Sequence, residues 1–236
     1  MQRLCLSDWD GTLRPGFILE DWLEHLSSEG IVGFDFADAC RQRIAKYQKG
    51  MLPYHDLVIE AASIYASAVK AVDQHKVNCS AERFILKDRL NLFAYTEPLL
   101  VLFRKKSIET IVVSGGPTEV LEAYGRMLGF SRIYALRLTI SDSGRYTGDV
   151  QENHGILEEK DRVVRSLKSE SKEVFLALGN APADQPLFVF AKHAFLIQTE
   201  GVHYTAPGTT QVNPQSLLTH VMALLGQKGG SDGFTV

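Results

Sequence analysis

A short apolar run, Leu4-Cys-Leu-Ser7, ends in an acidic loop, Asp8-Trp-Asp-Gly-Thr-Leu13, and no second strand-like run follows until about residue 109. The intervening stretch has helical spacing of apolar residues at 17–26, 36–47, 57–72 and 81–93, with Gly50 and Pro53 as punctuation. From residue 95 the pattern changes to alternation. Helices are predicted at 98–106, 117–128, 157–167, 183–191 and 214–225, and strands at 109–113, 133–138, 174–178 and 194–197. Residues 144–148 read as turn or hairpin. With the first run, this makes five short strands separated by helices, the pattern of a parallel sheet covered on both faces. The expected fold is therefore α/β: a Rossmann-like, doubly wound parallel sheet with a helical cap domain inserted after the first strand. The expected boundaries are 1–14 and 95–225 for the core, 15–94 for the cap and 226–236 for a flexible, glycine-rich tail.

Composition excludes several classes of partner. The chain has 236 residues, and 25 basic against 28 acidic side chains give a net charge of −3. Without a polybasic footprint, neither nucleic acid nor an anionic membrane is an expected partner. Cys5, Cys40 and Cys79 are odd in number and far apart, which suits reduced thiols in a cytoplasm and proposes no zinc site. The first residues reach charge too early for a signal peptide, and no apolar run is long enough to span a membrane. Nothing in the sequence fixes an oligomeric state.

Ligands of doubly wound sheets sit at the carboxyl ends of the strands, so the residues at those ends matter most. Asp8 and Asp10, two apart in a loop, can converge on one cation that relieves their repulsion; a plain polar turn is the competing reading. A calcium loop fails on spacing, since glycine comes at the fourth position and Leu19 at the twelfth. After the second strand, Val113-Ser-Gly-Gly-Pro117 reads as a strand-to-helix junction with proline at the first helical position, either a phosphate cradle or an ordinary turn. Lys160 lies near a helix start, as a neutralising point charge or a surface lysine. Asn180 and Asp184, after the fourth strand, are hard oxygen donors suited to magnesium, although Asp184 could equally cap the helix beside it. All four sets would meet at one edge of one sheet.

In that order these motifs resemble those of the haloacid dehalogenase superfamily of phosphohydrolases. Asp8-Trp-Asp-Gly-Thr-Leu stands as the first motif, Val113-Ser-Gly-Gly as the second, Lys160 as the third and Gly179-Asn-Ala-Pro-Ala-Asp184 as the fourth. The helical insertion resembles the superfamily's C1 cap, and Ser143-Gly-Arg-Tyr-Thr-Gly148 is similar to a segment of the phosphoserine phosphatase branch. The resemblance implies a magnesium-dependent phosphatase acting on a small phosphorylated metabolite. Asp8 would attack phosphorus to give an aspartyl-phosphate, and Asp10 would protonate the leaving oxygen and then activate water. Thr12 would fix Asp10. Ser114 and the Gly115 amide would hold phosphoryl oxygens, Lys160 would offset charge beside the nucleophile, and Gly11 and Phe17 would complete the substrate-facing set. Magnesium would be held by Asp8, the Asp10 carbonyl, Asn180 and Asp184.

Two departures from the family pattern carry consequences. The fourth motif usually begins Gly-Asp, whereas here Asn180 follows Gly179. An amide oxygen binds magnesium without a negative charge, so affinity should fall. Phosphoserine phosphatases also place a glutamate after the first motif to meet the substrate ammonium, and here Phe17 stands near that place. An aromatic ring replaces such a carboxylate only weakly, so phosphoserine itself is not the expected substrate. Two competing readings accompany the phosphatase: a phospho-ligand binding or regulatory protein with little or no turnover, and, ranked below it, a phosphotransferase.

Overall fold

The computed structural model describes residues 3–170, 172–199 and 204–226. Its centre is β1 (Arg3–Ser7), which pairs in parallel with β2 (Ile108–Pro117) on one side and β5 (Glu173–Gly179) on the other. Among the described residues the sheet has seven strands in the order β4-β3-β2-β1-β5-β6-β7, with β3 at Arg132–Ile140, β4 at Tyr146–Glu152, β6 at His193–Ile197 and β7 at Thr210–Val212. All pairings are parallel except β3 with β4.

Alternation along the central strands supplies both faces. Leu4 and Leu6 join Ile111, Val113, Ala177 and Leu196 in a core with α7 (Leu157–Ser169) and α8 (Gln185–Phe190). Cys5, Val112, Leu176 and Leu178 point the other way, into the core formed with α5 (Thr96–Lys105), α6 (Thr118–Leu128) and α9 (Leu217–Leu224). This second core continues without a break into the segment between β1 and β2. There α1 (Ile18–Ser28), α2 (Phe34–Gln48), α3 (Tyr54–Ala68) and α4 (Gln74–Asp88) stand as the helical cap expected after the first strand. The apolar spacing of α1 buries Ile18, Leu19, Trp22, Leu23 and Leu26 along one stripe.

Several elements differ from the sequence expectation. The last insertion helix runs from Gln74 to Asp88 rather than 81–93. Its start is set by Asp73, whose carboxylate accepts from the His75 amide at 2.8 Å, and its polar first turn, Gln-His-Lys, hides it from apolar periodicity. A 3-10 turn at Arg89–Asn91 ends the segment. The hairpin material at 144–148 opens a full edge strand, β4, of which Tyr146 is the buried residue. Together with the three-residue β7, it brings the strand count to seven. Pro117 is the N-cap of α6, not its first helical residue, because β2 runs on through Ser114-Gly-Gly before the chain turns. Of the expected tail 226–236, all but Gly226 lies outside the described residues.

The β3–β4 hairpin also docks the insertion. The amide of Ala71, just after α3, donates to the Tyr146 carbonyl at 2.8 Å, and the Tyr146 amide donates to the Val72 carbonyl at 3.1 Å. Tyr65 of α3 and Tyr146 of β4 both donate to the buried Glu119 carboxylate of α6, at 3.0 and 2.6 Å. Burial pushes Glu119 above the ordinary carboxylate range despite these two donors.

Candidate active site

Asp8 leaves the carboxyl end of β1 with its amide bonded to the Leu178 carbonyl of β5 at 3.0 Å, so two strands fix its position. The chain then tightens: the Trp9 carbonyl accepts from the amides of Thr12, Leu13 and Arg14, at 3.1, 2.8 and 3.1 Å. Gly11 is needed within this loop. Its φ is +69°, and a Cβ there would lie 2.0 Å from the Asn180 side-chain nitrogen, which packs over it. Trp9 faces away from the site, fully buried, with its ring 4.6 Å from that of Tyr124.

Asp10 is held by α1. No side chain of the N-cap residue, Phe17, caps this helix, and the Ile18 amide donates to Asp10 Oδ1 at 2.9 Å instead. The expected partner of Asp10 was Thr12. Thr12 turns elsewhere: its hydroxyl donates to Asn180 Oδ1 at 3.4 Å, because the tight loop carries it beneath the fourth motif.

Lys160, in the first turn of α7, is 1% exposed. Its ammonium donates to Asp8 Oδ1 at 2.9 Å and to Asp184 Oδ1 at 2.6 Å. Asp184 Oδ2 accepts from the amides of Asn180 and Ala181, both at 2.9 Å. Both oxygens of Asp184, expected as a magnesium ligand, thus have hydrogen-bond partners within the fold. Its work is to hold Lys160 against Asp8 and to shape the fourth loop. Gly179 permits this closeness, since a Cβ there would meet the Asp184 carboxyl at 2.6 Å.

Burial pushes Asp8 up to about 6, against the pull of Lys160, and pushes Asp10 up to about 7, against the Arg14 charge. For Lys160 burial disfavours the charge, but Asp184 and Asp8 more than offset it and the ammonium persists. One buried cation between two carboxylates is stable only as a complete set.

Ser114 and Gly115 border a small cavity of about 40 Å³ together with Asp8 and Asp10. The Ser114 hydroxyl accepts from the Gly116 amide at 3.1 Å. Since α6 begins only at Thr118, this part of the expected phosphate cradle is extended strand backbone rather than a helix terminus. The loop before α7 crosses the strand closely here: a Cβ on Gly155 would sit 2.7 Å from the Gly115 Cα, and one on Gly115 3.1 Å from the Gly155 Cα, so the crossing requires glycine at 155 and leaves little room at 115. That crossing brings the second motif beside the helix that carries Lys160. A larger cleft of about 700 Å³ opens outward, lined by Asp10, Gly11, Phe17, Asn180 and three tyrosines, Tyr47, Tyr54 and Tyr204. Phe17 faces it, while the tyrosines were not singled out in the sequence.

The family model for haloacid dehalogenase-like hydrolases matches residues 5–188. The chain belongs to this hydrolase family. No curated protein matches it, but solved structures do. A substrate-bound phosphoserine phosphatase has a TM-score of 0.66 at 18% identity, covering 93% of this chain and 98% of that one. A phosphoserine phosphohydrolase-like protein from Francisella tularensis reaches a TM-score of 0.67 at 18% identity, covering 93% and 100%. A protein of unknown function from Bordetella pertussis Tohama I gives 0.67 at 19% identity, covering 97% of each chain. At these identities the likeness is one of fold.

In this haloacid dehalogenase-like hydrolase no helix among the described residues is long and apolar enough to cross a membrane. Nor do three or more His, Cys, Asp or Glu side chains gather as a metal centre among those residues. The remaining donors still fit magnesium. Asp8 and Asn180 offer hard oxygens, and magnesium characteristically uses one or two carboxylates, waters and substrate phosphate rather than a full protein cage. The nearby Cys40 thiol, which lines the small cavity, is pushed up to about 12 by burial and stays protonated, so the site presents no thiolate.

Proposed function

We propose that this hydrolase is a magnesium-dependent phosphatase that releases phosphate from a small phosphorylated metabolite through an aspartyl-phosphate on Asp8. The observation that carries the reading is the position of Asp8. It directly follows the central strand, one oxygen is held by the buried Lys160, and it borders one cavity with Asp10, Ser114 and Gly115. The Asp8 carboxylate attacks phosphorus, and the leaving alkoxide takes a proton from Asp10, whose raised pKa keeps that proton available near neutral pH. Asp10 then removes a proton from water, and the resulting hydroxide displaces Asp8 and frees phosphate. Ser114 and Gly115 receive the phosphoryl oxygens, and Lys160 offsets the charge that builds at Asp8. Magnesium, when bound through Asp8, the Asp10 main-chain carbonyl and Asn180, supplies charge neutralisation between the carboxylate and the phosphate.

In this reading residues 15–94 form the cap that closes over the core of 1–14 and 95–225, and Phe17 replaces an ammonium-binding carboxylate, so phosphoserine is a poor substrate. Phosphate release from p-nitrophenyl phosphate, dependent on magnesium and stopped by chelator, tests the activity. Loss of release in Asp8→Asn supports the assignment, and release that survives the substitution overturns it. The regulatory alternative has one feature in its favour, the uncharged Asn180; binding of phosphate without turnover across a broad panel would establish it.

A further inference from the structure

Beyond the reacting groups, the cleft has a consistent chemical character. Among the described residues, Asp8 and Asp10 are the charged side chains that line either cavity. Arg14, the nearest buried cation of the loop, is consumed by Asp88, Asp21 and the Pro15 carbonyl. Away from those two carboxylates, the described lining therefore offers no charged partner to a leaving group's carboxylate, ammonium or second phosphate.

That wall is built of rings from three segments. Phe17, at the start of α1, meets Tyr47, near the end of α2, edge to face at 6.1 Å and 89°. Tyr47 in turn meets Tyr54, the first residue of α3, at 5.7 Å and 64°. Phe17 and Tyr54 border both the small cavity at Asp8 and the outer cleft, so the aromatic surface is continuous from the phosphoryl position outward. The hydroxyl of Tyr204, which lines the same cleft, is held by Gln185 Oε1 at 2.7 Å, which fixes a fourth ring. A cleft of about 700 Å³ is far larger than a short alkyl phosphate needs.

We infer that the alcohol half of the substrate is uncharged and carries an aromatic ring, which seats against the Phe17–Tyr47–Tyr54 wall. The inference rests on the phosphatase reading but concerns a separate surface. The rings already hold one another in tilted geometry, so a substrate ring adds to an existing edge-to-face series at little ordering cost.

The test uses alkyl phosphates of similar leaving-group chemistry with the full chain and magnesium: 2-phenylethyl phosphate, ethyl phosphate, phosphoethanolamine and phosphoserine. The expected kcat/KM for 2-phenylethyl phosphate exceeds that for ethyl phosphate by about tenfold or more, the scale of one well-placed aromatic contact. Phosphoserine and phosphoethanolamine fall below ethyl phosphate. Tyr47→Ala removes the preference, mainly through KM, and Tyr47→Phe restores it. Equal or better turnover of phosphoserine, or a preference that survives in Tyr47→Ala, overturns the inference. If no phosphate ester is hydrolysed, the phosphatase reading fails, and calorimetric binding of 3-phenylpropylphosphonate against propylphosphonate decides the ring site alone. Tighter binding of the aromatic phosphonate, lost in Tyr47→Ala, supports it; equal binding overturns it.

Discussion

Arg14 and Asp88 form a two-pronged ion pair, Nε to Oδ2 at 2.9 Å and Nη2 to Oδ1 at 2.6 Å, with both side chains 2% exposed. The pair joins the loop just after Asp10 to the last residue of α4, where the helical insertion returns to the sheet. Tyr124 and Asn91 complete the carboxylate's hydrogen bonds, at 2.7 and 3.0 Å. The return of the insertion and the geometry of the catalytic loop are thus fastened at one point.

Removing Asp88 leaves the buried Arg14 charge with the half-exposed Asp21 as its remaining carboxylate partner. Asp88→Asn is expected to destabilise the protein by about 3–5 kcal/mol, read as a lower urea midpoint. The pH dependence has a definite sign. Burial pushes Asp88 up, but its hydrogen bonds to Arg14 and the Arg14 charge hold it below the ordinary carboxylate range. Its contribution is therefore complete above the unfolded value of about 3.9 and disappears as pH falls through the lower folded value. Asp88→Asn should show less acid sensitivity than the native chain across that window; equal acid sensitivity would show that Asp88 carries none of it.

In the proposed function, Asp184 acts through the Lys160 ammonium that it binds. Lys160→Ala is expected to lower kcat by about 10²–10³-fold, the scale for removing one preorganised charge-stabilising donor. Asp184→Asn should lower kcat in the same direction, because its Oδ1 positions the ammonium while Oδ2 holds the fourth loop. Lys160→Arg should not rescue activity, since the larger planar guanidinium cannot occupy a fully enclosed site built for two convergent contacts. Steady-state kinetics on all three variants checks this, with circular dichroism to confirm folding.

Asp10 should be separable by leaving group. An alkoxide needs its proton, whereas p-nitrophenolate leaves without one. Asp10→Asn is expected to cost about 10²–10⁴-fold with an alkyl phosphate. With p-nitrophenyl phosphate it should give a burst of p-nitrophenolate followed by slow turnover, because the second step lacks its base. In the native enzyme kcat for an alkyl phosphate should fall as pH rises through about 7, where Asp10 loses its proton. A flat profile there, or no burst in the variant, would argue against this role.

In the proposed function, the uncharged Asn180 limits the charge available to a cation. With Asp184 spent on Lys160, Asp8 is the one carboxylate remaining for magnesium among the proposed side-chain ligands. Asn180→Asp should therefore tighten magnesium binding about tenfold or more, measured by metal titration of activity and by calorimetry. An unchanged affinity would remove Asn180 from the ligand set.

How much of this was legible in the sequence depends on the range of the signal. Asp8 and Asp10 stand out because a short apolar strand runs straight into them, and Lys160 and Asn180 follow from their positions after later strands. A capping role for Asp184 was legible, but its contact with Lys160 and that of Thr12 with Asn180 were not, because they depend on which oxygen meets which donor in the folded loop. The Arg14–Asp88 pair spans most of the insertion and leaves no local pattern. The tyrosine wall was hidden for a related reason: Tyr47 and Tyr54 meet Phe17 only when the end of α2 and the start of α3 are brought to the catalytic loop. In the fold, apolar periodicity located most helices but missed the polar start of α4 and the largely exposed strand β4.

The central claim is a covalent phosphoryl group on Asp8. It is tested most directly by rapidly acid-quenching the magnesium-loaded protein with substrate and locating the modification by peptide mass spectrometry. The account predicts one phosphoryl group on the peptide containing Asp8, removed by hydroxylamine and absent from Asp8→Asn. Phosphate release with no labelled Asp8 peptide under single-turnover conditions, or label that persists in Asp8→Asn, would contradict it.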